Sequence, residues 1–90
     1  MQHAIIMVSG DVQGVGFRFT TRRISKKFDV NGYVMNLPDG RVRIEAEGRD
    51  NELDAFFNAV KTSSLGGGIR QWEERRGPAT GLPPGFDIRY

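Results

Sequence analysis

A chain of 90 residues, 38% hydrophobic and 27% charged, is sized and composed for one soluble globular domain, residues 1–90. The absence of cysteine excludes disulfides, thiolate nucleophiles and sulfur-based metal sites, and the single histidine, His3, is assigned no chemistry so near the chain end. A net charge of +2, from 13 Lys and Arg against 11 Asp and Glu, is too slight to argue for nucleic acid. No apolar run is long enough for a membrane span or a secretory leader, so a cytoplasmic location is expected.

Ala4-Ile5-Ile6-Met7-Val8 is an apolar, largely β-branched run ending at Ser9-Gly10 and predicts a buried strand. Asp11 to Gly16 is turn-prone. From Phe17 onward, Phe17, Ile24 and Phe28 fall near one helical face, with charges opposite. Gly32 to Leu37 returns to strand character, and Leu37-Pro38-Asp39-Gly40 is a turn, with proline presetting one dihedral. Val42, Ile44 and Ala46 then alternate with Arg41, Arg43, Glu45 and Glu47, which predicts a half-buried strand forming a hairpin with its predecessor.

Asp50 is expected to cap a second helix, in which Leu53, Phe56, Phe57 and Val60 follow the i, i+3, i+4, i+7 spacing of an amphipathic element. Ser63 to Gly68 reads as a loop. Ile69 to Arg75 reads as a strand with a bulge, since Ile69 and Trp72 break alternation. Gly77 to Gly85, with three prolines, is a surface connection, and Phe86, Ile88 and Tyr90 alternate in a last strand. The order βαββαβ plus a short C-terminal strand implies right-handed crossovers on one side of a sheet. The fold class expected is a ferredoxin-like α+β sandwich, with two helices on one face of an antiparallel sheet.

Fold alone does not decide function, so the chemistry has to come from the segment Asp11-Val12-Gln13-Gly14-Val15-Gly16-Phe17-Arg18. Glycines let consecutive N–H groups turn around a small anion, a helix N-terminus adds positive potential, and arginine presents a fixed fork of donors. The segment reads either as a phosphate loop or as a plain strand-to-helix turn with a surface arginine. No Gly-Lys-Ser/Thr follows, and Phe19 takes the place of the last glycine of a dinucleotide fingerprint.

Gly10-Asp11-Val12-Gln13-Gly14-Val15-Gly16-Phe17-Arg18 resembles the motif that acylphosphatases carry at this junction. Gly32-Tyr33-Val34-Met35-Asn36-Leu37-Pro38-Asp39-Gly40 resembles that family's Gly-Trp/Tyr-Val-x-Asn-x-x-Asp-Gly segment, and Phe86-Asp87-Ile88-Arg89-Tyr90 its terminal strand. The similarity runs through residues 4–61 and 86–90. The resemblance implies hydrolysis of the carboxyl–phosphate bond of an acyl phosphate. It assigns Arg18 to the phosphoryl oxygens, Asn36 to the attacking water, and the backbone of Gln13, Gly14, Val15, Gly16 and Phe17, together with Arg18, to a phosphate cradle. On the same footing no cofactor or metal is expected, the partners are a small acyl phosphate and inorganic phosphate, and the protein acts as a monomer away from nucleic acid and membrane.

The residue inventory agrees with that chemistry. A carboxylate leaving group, with a conjugate acid near pKa ~4, departs without a general acid. Met35 stands where a basic residue is common in the family, Phe28-Asp29-Val30 replaces Leu-Gly-Leu, Ile24 replaces a common alanine, and residues 63–85 match poorly. The alternative is a non-catalytic phosphate- or RNA-binding module of the same fold. RNA-recognition domains stack bases on aromatics of their central strands, whereas Arg41, Arg43, Glu45 and Glu47 occupy the expected open face here. The related module at the front of hydrogenase-maturation proteins precedes zinc motifs rich in cysteine, so a free-standing enzyme is expected.

Overall fold

Strict alternation shapes the first strand, β1 (Gln2–Gly10), in which Ala4, Ile6 and Val8 are buried and their neighbours only half so. The structure, a computed structural model, describes residues 1–90. After β1 come α1 (Phe17–Ser25), β2 (Val30–Asn36), β3 (Val42–Gly48), α2 (Asp50–Thr62), a 3₁₀ turn (Gly66–Gly68), β4 (Ile69–Pro78) and β5 (Phe86–Arg89). The strands form one sheet in the order β4-β1-β3-β2-β5. Ala4, Ile6 and Val8 face Ala46, Ile44 and Val42 across the β1–β3 ladder, so the apolar sets of both strands lie on one face.

The helices cover that face. From α2, Leu53, Phe56, Phe57 and Val60 are all buried, and Phe56 packs against Phe28 and edge-on against Phe86. Burying four such side chains contributes about 6–12 kcal/mol gross, at roughly 1.5–3 kcal/mol each. Asp50 is the first helical residue rather than the cap: Arg49 occupies that position in extended conformation, without a side-chain cap bond. The Asp50 carboxylate is instead drawn to the Arg76 guanidinium, which also binds Asp54 and Glu74. From α1, Phe17, Thr21 and Ser25 are buried at i, i+4, i+8, and the helix stops before Phe28. Phe28 still packs on the core, from the turn beyond the helix.

Three expectations need correction. The sheet is mixed, because β5 runs parallel to β2. The reason is geometric: β4 ends beside Gln2, at the same end of the sheet where β2 begins, and residues 79–85 cross that end to the far edge. Strand β4 extends to Pro78, and the irregularity opposite it falls between Ser9 and Gly10 of β1. Glu47 is not open to solvent. It is 3% exposed beneath the 79–85 connection, accepting hydrogen bonds from the Thr80, Gly81 and Leu82 N–H groups and the Thr80 hydroxyl. His3 is drawn into the same cluster, its Nδ1 2.6 Å from Glu47 and its Nε2 3.0 Å from Glu45. No helix is long and apolar enough to cross a membrane.

Candidate active site

The topology gathers chain ends at the pole of the sheet opposite the 79–85 connection. There β1 ends at Gly10, β2 ends at Asn36, β3 begins at Val42 and β5 ends at Arg89. The segment joining β1 to α1 closes over this pole. Gly14 and Gly16 both hold left-handed backbone, at φ +77° and +74°, a region that residues with a Cβ avoid. Gly16 is the residue from which α1 departs, and its carbonyl accepts the Thr20 N–H at 3.0 Å. The helix therefore begins with its free N–H groups turned toward this pole.

A cleft of about 190 Å³ is lined by Val12, Gly14, Gly16, Phe17, Arg18, Phe19, Asn36, Ile88 and Tyr90. Arg18 and Asn36, eighteen positions apart in the chain, thus line one cleft. The guanidinium of Arg18 is set by the last strand: its Nη1 donates to the Arg89 carbonyl at 3.3 Å, and it lies 4.6 Å from the centre of the Tyr90 ring. The Asn36 Oδ1 is buried and has no hydrogen-bond partner. A buried acceptor without a donor is uncommon in folded proteins, and this one belongs to a residue that lines the cleft.

Of the expected cradle, Gly14, Gly16, Phe17 and Arg18 line the cleft, and Gln13 and Val15 do not. Val15 is 55% exposed at the loop tip. The Gln13 side chain turns away and braces the loop instead, its Nε2 donating to the Leu37 carbonyl at 2.8 Å and the Arg41 carbonyl at 2.9 Å. This ties the loop to the β2–β3 turn, in whose strand Asn36 sits. Phe19, Ile88 and Tyr90 form an apolar side of the cleft that was not anticipated from sequence. The alternation of the last strand marked Ile88 and Tyr90 as members of one face, but only the parallel pairing places that face beside Arg18.

The strongly perturbed carboxylate lies at the other pole. Burial would push the Glu47 carboxyl up, but hydrogen bonds from Thr80, His3 and Leu82 outweigh it and hold the group far below the usual carboxylate range. On the open face, burial and the Glu45 carboxylate raise the Tyr33 phenol, and the phenol and Arg43 hold Glu45 down despite its own burial. The polar side chains of the cleft are one permanent cation, one carboxamide and the Tyr90 phenol, with no side-chain carboxylate or imidazole among its lining residues. Such a set grips an anion and orients a neutral molecule beside it.

Comparison with known proteins adds the following. The family model described as Acylphosphatase matches residues 4–88. An acylphosphatase of Archaeoglobus fulgidus is 58% identical over 57 residues, an alignment that covers 63% of this chain and 64% of that protein. One from Thermotoga maritima is 58% identical over 55 residues, or 61% of each chain. These alignments therefore span just under two thirds of the relatives they match. The crystal structure of acylphosphatase from Bacillus subtilis superposes with a TM-score of 0.90 at 35% identity, covering the whole of both chains. A structure of HypF from T. kodakarensis matches at a TM-score of 0.84 and 33% identity, covering all of this chain and 12% of that one.

Proposed function

This chain belongs to the acylphosphatase family, and from that premise we propose that it is an enzyme hydrolysing acyl phosphates to a carboxylate and inorganic phosphate. The observation that carries the reading is the sharing of one cleft by Arg18 and Asn36, whose side-chain oxygen has no hydrogen-bond partner within the chain. The phosphoryl group lies in the loop, its oxygens bound by the Arg18 side chain and by backbone N–H groups of the cleft-lining residues Gly14, Gly16, Phe17 and Arg18. Asn36 Oδ1 accepts a hydrogen bond from the attacking water and so fixes that water's lone pair toward phosphorus.

The water oxygen bonds to phosphorus as the bond from phosphorus to the acyl oxygen breaks. The bonding electrons leave with the carboxylate, and the water's proton passes to a phosphate oxygen. The transition state is loose, with charge spread over the phosphoryl oxygens, so positioning and donors matter more than a strong base. A carboxylate there would add charge beside an anionic substrate, which is the physical advantage of an amide at position 36. The leaving group needs no acid, which suits a cleft with no carboxyl or imidazole side chain. The reaction on this account is metal-independent and the enzyme works as a cytoplasmic monomer.

The test is release of phosphate from benzoyl phosphate by the purified chain in excess chelator. Turnover that survives chelation supports the reading. Absence of turnover with phosphate still bound would leave a phosphate-binding module instead.

A further inference from the structure

We propose that a groove on the outer side of α1, bounded by Phe19, Arg22, Arg23 and Lys26, is a distal anion subsite. The preferred substrates would then be acyl phosphates whose acyl tail ends in a second negative group. The inference rests on the acyl phosphate reading of the adjoining cleft.

Position is the first support. Phe19, 64% exposed, lines both the cleft that holds Arg18 and this second groove of about 180 Å³, so one aromatic ridge borders the two. Arg18, Arg22 and Lys26 fall at i, i+4, i+8 and form one stripe, rising about 6 Å per step along the helix. A tail leaving a phosphoryl group held at Arg18 thus meets Phe19 first and the Arg22–Arg23 pair one turn later. That distance matches a compact acid with an anionic far end.

Charge is the second support. From Arg18 to Lys27 the chain carries five cations and no acidic residue. Arg22, Arg23, Lys26 and Lys27 form no ion pair, as is true of most cations of the chain, and what sets them apart is their grouping on one helix and its C-terminal end with no acidic residue among them. Like charges at i, i+4 repel, so the stripe costs helix stability that the helix dipole offsets only in part. The helix dipole accounts for basic residues in the last turn, where Arg22 and Arg23 lie. It does not account for the convergence of Arg22, Arg23 and Lys26 on one groove. Two adjacent guanidinium groups fit a carboxylate or a phosphate oxygen pair.

The test compares two rigid substrates of equal shape, 4-carboxybenzoyl phosphate and its uncharged isostere 4-carbamoylbenzoyl phosphate. The expected result is a kcat/KM about tenfold higher for the carboxylate, the size of one charge-assisted contact. Arg22→Gln should bring that ratio close to one while the carbamoyl substrate is little affected. The exposed pair Arg23→Gln/Lys26→Gln should act in the same direction and serves if Arg22→Gln does not fold. Arg75→Gln, an equal loss of charge on β4, should leave the ratio unchanged. A wild-type ratio near one overturns the subsite, as does an equal fall in Arg75→Gln, which would mean long-range steering instead. If neither compound releases phosphate, the hydrolase reading itself fails and the subsite falls with it.

Discussion

On the proposed mechanism Arg18 and Asn36 divide the work at the cleft by charge. The guanidinium would hold the anion in the ground state and gain as charge spreads in the transition state, while the carboxamide would touch only the water. Arg18→Ala should therefore lower kcat/KM by at least 10²–10³, on the scale known for losing one preorganised donor, and should weaken phosphate binding as well. Asn36→Ala should cost a comparable factor in kcat and leave phosphate affinity nearly intact. Steady-state kinetics beside phosphate titration separates the two, and near-normal turnover in either variant removes the role given to it. Gln13 acts one step away. Its amide satisfies two carbonyls of the β2–β3 turn, so Gln13→Ala should cost about 1–2 kcal/mol in denaturant unfolding and lower kcat/KM by loosening the loop against Asn36. Arg18 and Asn36 were legible from their motifs. The bracing role of Gln13 was not, because a side chain's direction depends on where the turn 24 and 28 residues later comes to rest.

On the proposed function, the element that decides the chemistry is the connection between β1 and α1. Two left-handed glycines allow it to wrap the pole, and an added Cβ at Gly16 would meet nothing within 4 Å. Gly16→Ala therefore tests backbone conformation without steric clash. It should cost about 1–2 kcal/mol from the left-handed penalty. It should also lower kcat/KM, because relief of that strain swings the first N–H groups of α1 away from the cleft. Wild-type activity with the stability loss alone would show that the loop does not depend on this conformation. Strand β5 and the residue that follows it are the second element at the cleft, since they contribute the Arg89 carbonyl and the Tyr90 ring that set the arginine. Its apolar alternation is plain in Phe86, Ile88 and Tyr90, but alternation carries no information about the direction or partner of a strand. The cap of α2 failed for a related reason: Asp50 is a good local capping residue, and a distant arginine on β4 drew its carboxylate away.

Across the whole molecule the two poles of the sheet do different jobs. One pole carries the cleft. The other is fastened by Glu47, whose carboxylate receives the backbone of the 79–85 connection and so holds the route by which β5 reaches its edge. Because the folded Glu47 titrates below its ordinary value of 4.5, its stabilisation is present above that pH and is lost as pH falls toward the lower folded value. Thermal unfolding should therefore show stability declining below about pH 4.5, and Glu47→Gln should flatten that decline. The same variant should destabilise the fold by about 2–3 kcal/mol at neutral pH, where backbone donors lose a charged acceptor. An unchanged acid limb in Glu47→Gln would assign the pH dependence to other carboxylates.

The linear chain by itself determined the local grammar: apolar alternation in β1 and β3, the i, i+3, i+4, i+7 face of α2, the glycine-bearing junction ahead of Arg18, and Asn36 at the end of its strand. These follow from neighbours within a few positions, where side-chain period and backbone preference act directly. Tertiary structure alone decided which residues meet. It set the parallel pairing of β5, put Tyr90 beside Arg18, turned Gln13 inward and buried Glu47 with His3 beneath residues 79–85. Each of those outcomes depends on contacts between segments far apart in the chain, and such contacts form only when the sheet closes and burial is shared among all its strands.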